Sequence, residues 1–81
     1  MAQRQKNAPK ITTALLHRAE EAPHFHQELE ILYLMEGTLT VTQDGKQTIL
    51  QKDDVLVINC NHTHSLHGDG DLTLLRIQVS Y

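Results

Sequence analysis

The chain has 81 residues, 40% of them hydrophobic, and a formal net charge of −3. That is room for one domain with a thin core, and the apolar share is too high for a disordered tail. Cys60 is the single cysteine, which excludes an internal disulfide, and the apolar runs at residues 31–35 and 55–58 are far too short to cross a bilayer.

Charge is unevenly spread. Residues 1–19 carry Arg4, Lys6, Lys10 and Arg18 and no acid, giving +4, whereas residues 20–81 set Lys46, Lys52 and Arg76 against all ten acids, giving −7. An acidic body repels a phosphate backbone, so this chain is not expected to contact DNA by itself. No apolar stretch follows Met1, as a secretory signal would require. With the lone cysteine this points to a cytoplasmic protein without membrane attachment.

Residues 1–10 read as a flexible lead ending near Pro9, and residues 11–81 as one domain. Residues 11–16 are short, β-branched and apolar, the composition of a first strand. The stretch from Glu20 to Pro23 reads as a loop, since Pro23 cannot donate to a ladder. From His24 to Met35 the chain reads as extended, and Gly37 ends it. Thr38, Leu39, Thr40, Val41 and Thr42 alternate polar and apolar like a half-buried strand. Asp44-Gly45 follows, a pair suited to a tight hairpin because both residues tolerate positive φ. Residues 47–50 return as its partner, and Lys52-Asp53-Asp54 is a polar turn. Residues 55–58 form a continuous apolar strand, 62–67 a short one, and 72–79 a long closing one. About seven short strands with turns at close intervals predict an all-β antiparallel barrel or sandwich.

Five of the six histidines fall into two clusters. His24 and His26 form one H-x-H, followed by Glu30; His62 and His64 form a second, with His67 beyond it. Two imidazoles, a carboxylate and a third imidazole from a distant strand make a donor set for a divalent first-row metal. On a straight strand His26 and Glu30 would stand about 13 Å apart at ~3.3 Å per residue, so a shared ion requires a bend or bulge between Gln27 and Leu29. The plainer alternative is a set of polar residues lining a wet pocket. Arg76 admits two readings: a clamp for a carboxylate ligand, or the favoured one, a surface position or ion pair. Cys60 reads as a small packing residue rather than a nucleophile.

The segment His24-Phe25-His26-Gln27-Glu28-Leu29-Glu30 through Gly37 resembles the first cupin motif. The segment Lys52-Asp53-Asp54-Val55 through His62-Thr63-His64-Ser65 resembles the second, in the version found in effector domains of AraC-like transcription regulators. The resemblance spans residues 22–80. Asp53 stands where that family usually has Gly and Cys60 where it has Pro; Asp tolerates left-handed backbone, so the turn survives.

The resemblance implies a small antiparallel jelly-roll barrel of the cupin type, with His24, His26, Glu30 and His64 converging on one point. A divalent transition metal (Zn, Fe, Mn or Ni) is the implied cofactor. The function it implies is effector sensing: the barrel takes up a small polar, sugar-like metabolite and DNA is read by a region outside this chain. The alternative is a stand-alone metal-dependent enzyme of dioxygenase, isomerase or decarboxylase type. If Glu30 points inward, Ile31, Tyr33 and Met35 share the opposite parity and form an outward apolar stripe. A homodimer is therefore expected, with that stripe or the terminal strand 72–79 at its interface.

Overall fold

The computed structural model describes residues 8–25, 27–59 and 62–80. Eight strands account for its regular structure: β1 Lys10–Leu16, β2 Glu20–His24, β3 Leu29–Glu36, β4 Leu39–Gln43, β5 Lys46–Leu50, β6 Val55–Ile58, β7 His64–Gly68 and β8 Thr73–Ser80. They form two four-stranded antiparallel sheets, one in the order β1-β8-β3-β6 and the other β2-β7-β4-β5. No helix occurs among the described residues. The expected all-β jelly-roll barrel is therefore the observed fold.

One element departs from the sequence reading. Glu20 to Pro23, expected as a loop, belongs to β2, which pairs with β7. Pro23 is tolerated because β2 is the edge of its sheet and the register shifts between Glu21 and His24, so no ladder bond needs its missing N–H. The long extended segment is correspondingly split: the chain bends at Gln27 and Glu28, placing His24 and Glu30 in different sheets.

The turns follow their residue chemistry. Asp44 and Gly45 both have positive φ, 49° and 81°, as the two-residue hairpin between β4 and β5 demands. Asp53 also has positive φ, 72°, in a turn closed by the Asp54 carboxylate, which accepts from the Gln51 amide at 2.8 Å.

Register explains how the interior is graded. On the first sheet the inward rungs are Leu16–Leu74–Leu34, then Ala14–Arg76–Leu32–Leu56, then Thr12–Gln78–Glu30–Ile58. On the second they run from Leu50–Leu39–Gly68, through Thr48–Val41–Leu66–Glu21, to Lys46–Gln43–His64–His24. Both sheets thus pass from leucines at one end to charged and polar side chains at the other. Leu32, Leu34, Leu39, Val41, Ile58, Leu66 and Leu74 are buried and form the dry core, with Leu72 beside them. Burying one such side chain contributes about 1.5–3 kcal/mol, so this end carries much of the stability.

Candidate functional site in the polar end of the barrel

Glu30 and His64 are the two polar side chains buried outright among the described residues, at 0% and 1% exposure. The inward parity of β3 puts Glu30 on the same face as Leu32 and Leu34, and its cross-strand neighbour Gln78 donates to Glu30 Oε1 at 3.1 Å. The other oxygen, Oε2, lies 3.3 Å from Arg76 Nε. Arg76 also reaches across to the second sheet, where its Nη2 donates to Glu21 Oε2 at 2.6 Å. One guanidinium therefore serves two carboxylates, and the charges of Glu21, Glu30 and Arg76 sum to −1. Of the two readings open for Arg76, the structure shows the ion pair, and shows it inside the barrel instead of on the surface; Ala14 beside it in the rung leaves it room.

The two described histidines of the expected metal set meet here. His24 and His64 are cross-strand partners with ring centroids 4.4 Å apart. His24 Nδ1 donates to the Ala22 carbonyl at 2.8 Å, and His64 Nδ1 donates to the His62 carbonyl at 3.1 Å. A carbonyl only accepts, so each neutral ring carries its proton on Nδ1 and turns the lone pair of Nε2 elsewhere. Those nitrogens face carboxylates: His64 Nε2 is 3.9 Å from Glu30 Oε1, and His24 Nε2 is 3.7 Å from Glu21 Oε1.

This donor chemistry suits a divalent cation. Metal-binding histidines generally donate their second ring N–H to a carbonyl or carboxylate. Two ligand bonds of ~2.1 Å span at most about 4.2 Å, so His64 and Glu30 are within reach of one ion as they stand. Among the described residues, however, no three His, Cys, Asp or Glu side chains close on a single point. His24 and Glu30 sit on opposite sheets with Arg76 and Glu21 between them in the ion-pair chain. His26, the remaining expected ligand, lies outside the described residues, as does Cys60.

The other histidines are engaged at the surface. His62 Nδ1 bonds Asp44 at 2.9 Å and His67 Nδ1 bonds Glu20 at 2.7 Å, both exposed. Glu21 and Gln78 were not foreseen as members of the cluster. The parity of Gln78 with Leu74 was readable, but the membership of Glu21 depends on β2, which the sequence reading placed in a loop. A recess of about 130 Å³ at the polar end is lined by Pro23, Thr42, Asp44, Gly45, Thr63, His64 and Ser65. At the leucine end His17, Glu36 and Asp71 edge a broader open cleft of about 400 Å³. Glu36 and Asp71 are already paired there with Lys52 and Arg18.

A two-sheet barrel with a histidine and carboxylate cluster on facing inner strands defines a cupin. The profile of the cupin domain family matches residues 13–78, and the chain belongs to that family. Comparison with curated protein sequences finds no match. Solved structures of similar fold include the protein NMB1881 from Neisseria meningitidis, with TM-score 0.74 and 20% identity over 98% of this chain and 90% of that one. An RmlC-like cupin from Shewanella frigidimarina also has TM-score 0.74, at 18% identity over 90% of this chain and 67% of its own. The salicylate 1,2-dioxygenase of Pseudoaminobacter salicylatoxidans, as its W104Y mutant, has TM-score 0.72 and 22% identity over 86% of this chain, which spans only 21% of the dioxygenase. At these identities the likeness is one of fold.

Proposed function

We propose that this chain is the effector-sensing cupin domain of an AraC-like transcription regulator. In this reading it binds a small polar, sugar-like metabolite at the polar end of the barrel, and DNA is read by a module outside these residues. The observation that carries the reading is the Glu21–Arg76–Glu30 chain. Arg76 and Glu30 belong to the first sheet and Glu21 to the edge strand of the second. A ligand whose hydroxyl or carboxyl groups take over Arg76 displaces a bond between sheets, which turns occupancy into a change of shape. The acidic balance of residues 20–81 supports leaving DNA contact to another region.

Ligand-induced thermal shift with a panel of monosaccharides and small organic acids tests this. One class should raise the unfolding temperature, and Arg76→Gln should abolish the rise while the variant stays folded. Sequence-specific DNA binding by residues 1–81 alone would overturn it.

A metal-dependent enzyme is the second reading, favoured by one specific feature: the Nδ1–H tautomers of His24 and His64 beside Glu30. His24, His26, Glu30 and His64 would hold the ion, which when bound would supply Lewis-acid or redox chemistry. Likeness in fold to a salicylate 1,2-dioxygenase agrees with this reading without selecting a substrate. Elemental analysis of purified protein, followed by titration with nickel or manganese, separates the two. A stoichiometric ion together with turnover of a small acid would favour the enzyme.

A further inference from the structure

The charges at the polar end do not balance, and the imbalance opens to solvent on one side. Glu21 and Glu30 share the guanidinium of Arg76, so with both imidazoles neutral the group carries −1. Lys10 and Lys46 have the inward parity but stand on the edge strands β1 and β5, away from the cluster. At ~3.3 Å per residue Lys10 is about 13 Å from Ala14, the cross-strand partner of Arg76. At ~4.8 Å per strand Lys46 is about 14 Å from His24.

Exposure falls along the cluster. The side chains of His24 and Glu21 are 36% and 30% exposed, Arg76 is 14%, and Glu30 and His64 have none. The mouth therefore lies at edge strand β2, where the register shifts between Glu21 and His24. Both groups at the mouth accept hydrogen bonds. His24 Nδ1 donates to the Ala22 carbonyl, so its Nε2 is an acceptor, and it stands 3.7 Å from Glu21 Oε1. One ammonium has three donors, and with hydrogen bonds of about 2.9 Å it reaches both atoms.

We propose that the effector of this domain carries a primary ammonium beside a hydroxyl, the chemistry of an amino alcohol or amino sugar, and is held at Glu21 and His24. The inference rests on the sensor reading and narrows its ligand class by charge. An ammonium brings the sum over Glu21, Glu30, Arg76 and ligand from −1 to zero. A carboxylate would bring it to −2 around a single guanidinium, and a neutral polyol would leave it as it is. Like charges gathered in an interior of low dielectric repel strongly, so charge selects the class before shape does. The ammonium gives Glu21 a second cation and so loosens its hold on Arg76. The neighbouring hydroxyl accepts from Arg76 Nη2 in place of Glu21 Oε2, and the two sheets are then joined through the ligand.

Three small probes with a hydroxyl in common separate the charge classes: 2-aminoethanol, 1,2-ethanediol and glycolate. Each is titrated into nitrogen-15-labelled protein at constant ionic strength and about pH 7.5, where an unperturbed imidazole is mostly neutral. The reporters are Arg76 Nε–H and the ring nitrogens of His24. 2-Aminoethanol should shift both, binding about tenfold or more tightly than 1,2-ethanediol, and glycolate should shift neither. Glu21→Gln brings the charge sum to zero before any ligand arrives and should remove the preference. Glu20→Gln takes the same charge from the pair with His67 on the outer face and should keep it. Mapping on the wild-type protein stands even where a variant fails to fold. 1,2-Ethanediol or glycolate binding as tightly as 2-aminoethanol overturns the charge class, yet leaves a ligand site at Arg76 and with it the sensor reading. A preference that survives Glu21→Gln, or is lost in Glu20→Gln, overturns the placement. Wild-type protein that responds to none of the three probes overturns the proposal outright, while the sugar and acid panel still decides the sensor reading.

Discussion

Arg76 Nε stands 3.3 Å from Glu30 Oε2, in an interior where Glu30 has no exposed surface and the Arg76 side chain only 14%. Charge so placed is costly to leave uncompensated. Removing one partner of a buried pair typically destabilises by about 3–5 kcal/mol, because the survivor keeps its charge without water. Arg76→Leu should reach that range, since it removes the cation shared by Glu30 and Glu21, and the bond Glu30 accepts from Gln78 does not balance its charge. Glu30→Gln keeps the shape and leaves Arg76 its bond to Glu21, so it should cost less, about 1–2 kcal/mol. Urea denaturation of the two variants measures the difference; equal losses would mean that the pair is not what holds this end together.

The histidine tautomers give a direct spectroscopic expectation. With Nδ1 donating to the Ala22 and His62 carbonyls, His24 and His64 should both appear as Nδ1–H tautomers in nitrogen-15 correlation spectra at a pH where the rings are neutral. Adding nickel or zinc should shift the Nε2 signals, not those of Nδ1, if these nitrogens are ligands. Metal that shifts only His62 or His67 would place the ion on the surface.

Gly37 and Gly45 both have positive φ but differ in surroundings. A Cβ on Gly37 would meet Leu72 Cβ at 2.7 Å and the Asp71 carbonyl oxygen at 3.0 Å, while one on Gly45 meets nothing within 4 Å. Left-handed backbone alone costs a side chain about 1–2 kcal/mol. Gly45→Ala should cost about that much, and Gly37→Ala distinctly more, through overlap with backbone-anchored atoms that cannot swing aside. Thermal unfolding of both variants provides the comparison.

Tyr33 is held above its ordinary value of 10.0, first by the hydrogen bond its hydroxyl donates to Asp53 and then by that carboxylate's charge. Lys52 is raised likewise by its hydrogen bond and ion pair with Glu36. Both folded values lie above the unfolded ones. What these contacts contribute is therefore present at neutral pH and lost as alkali carries the pH through the folded values. Ultraviolet tyrosinate titration should show Tyr33 ionising late, and Asp53→Asn should bring its midpoint down; Tyr33→Phe assigns the signal. An unchanged midpoint in Asp53→Asn would remove the hydrogen bond as the cause.

Local chemistry alone determined a good deal of this protein. The alternation at Leu39 and Val41, the Asp44-Gly45 turn and the left-handed tolerance of Asp53 are each decided by a few adjacent residues, and they sufficed for an all-β barrel. His24, His64 and Glu30 were legible as candidates from motif spacing, and the structure sets His24 beside His64 and His64 3.9 Å from Glu30. Tertiary structure decided the rest, through pairings between residues far apart in the chain. Glu20 to Pro23 became a strand because β7 was available to pair with it and an edge position spared Pro23 a ladder bond. Arg76 turned inward because Glu30 and Glu21, 46 and 55 positions away, supply the charges that make its burial tolerable. The apolar stripe of Ile31 and Tyr33 likewise gains Ile77 and Leu75 beside it only once β3 and β8 lie side by side: parity within a strand is local, but which strand becomes its neighbour is settled by closure of the whole barrel.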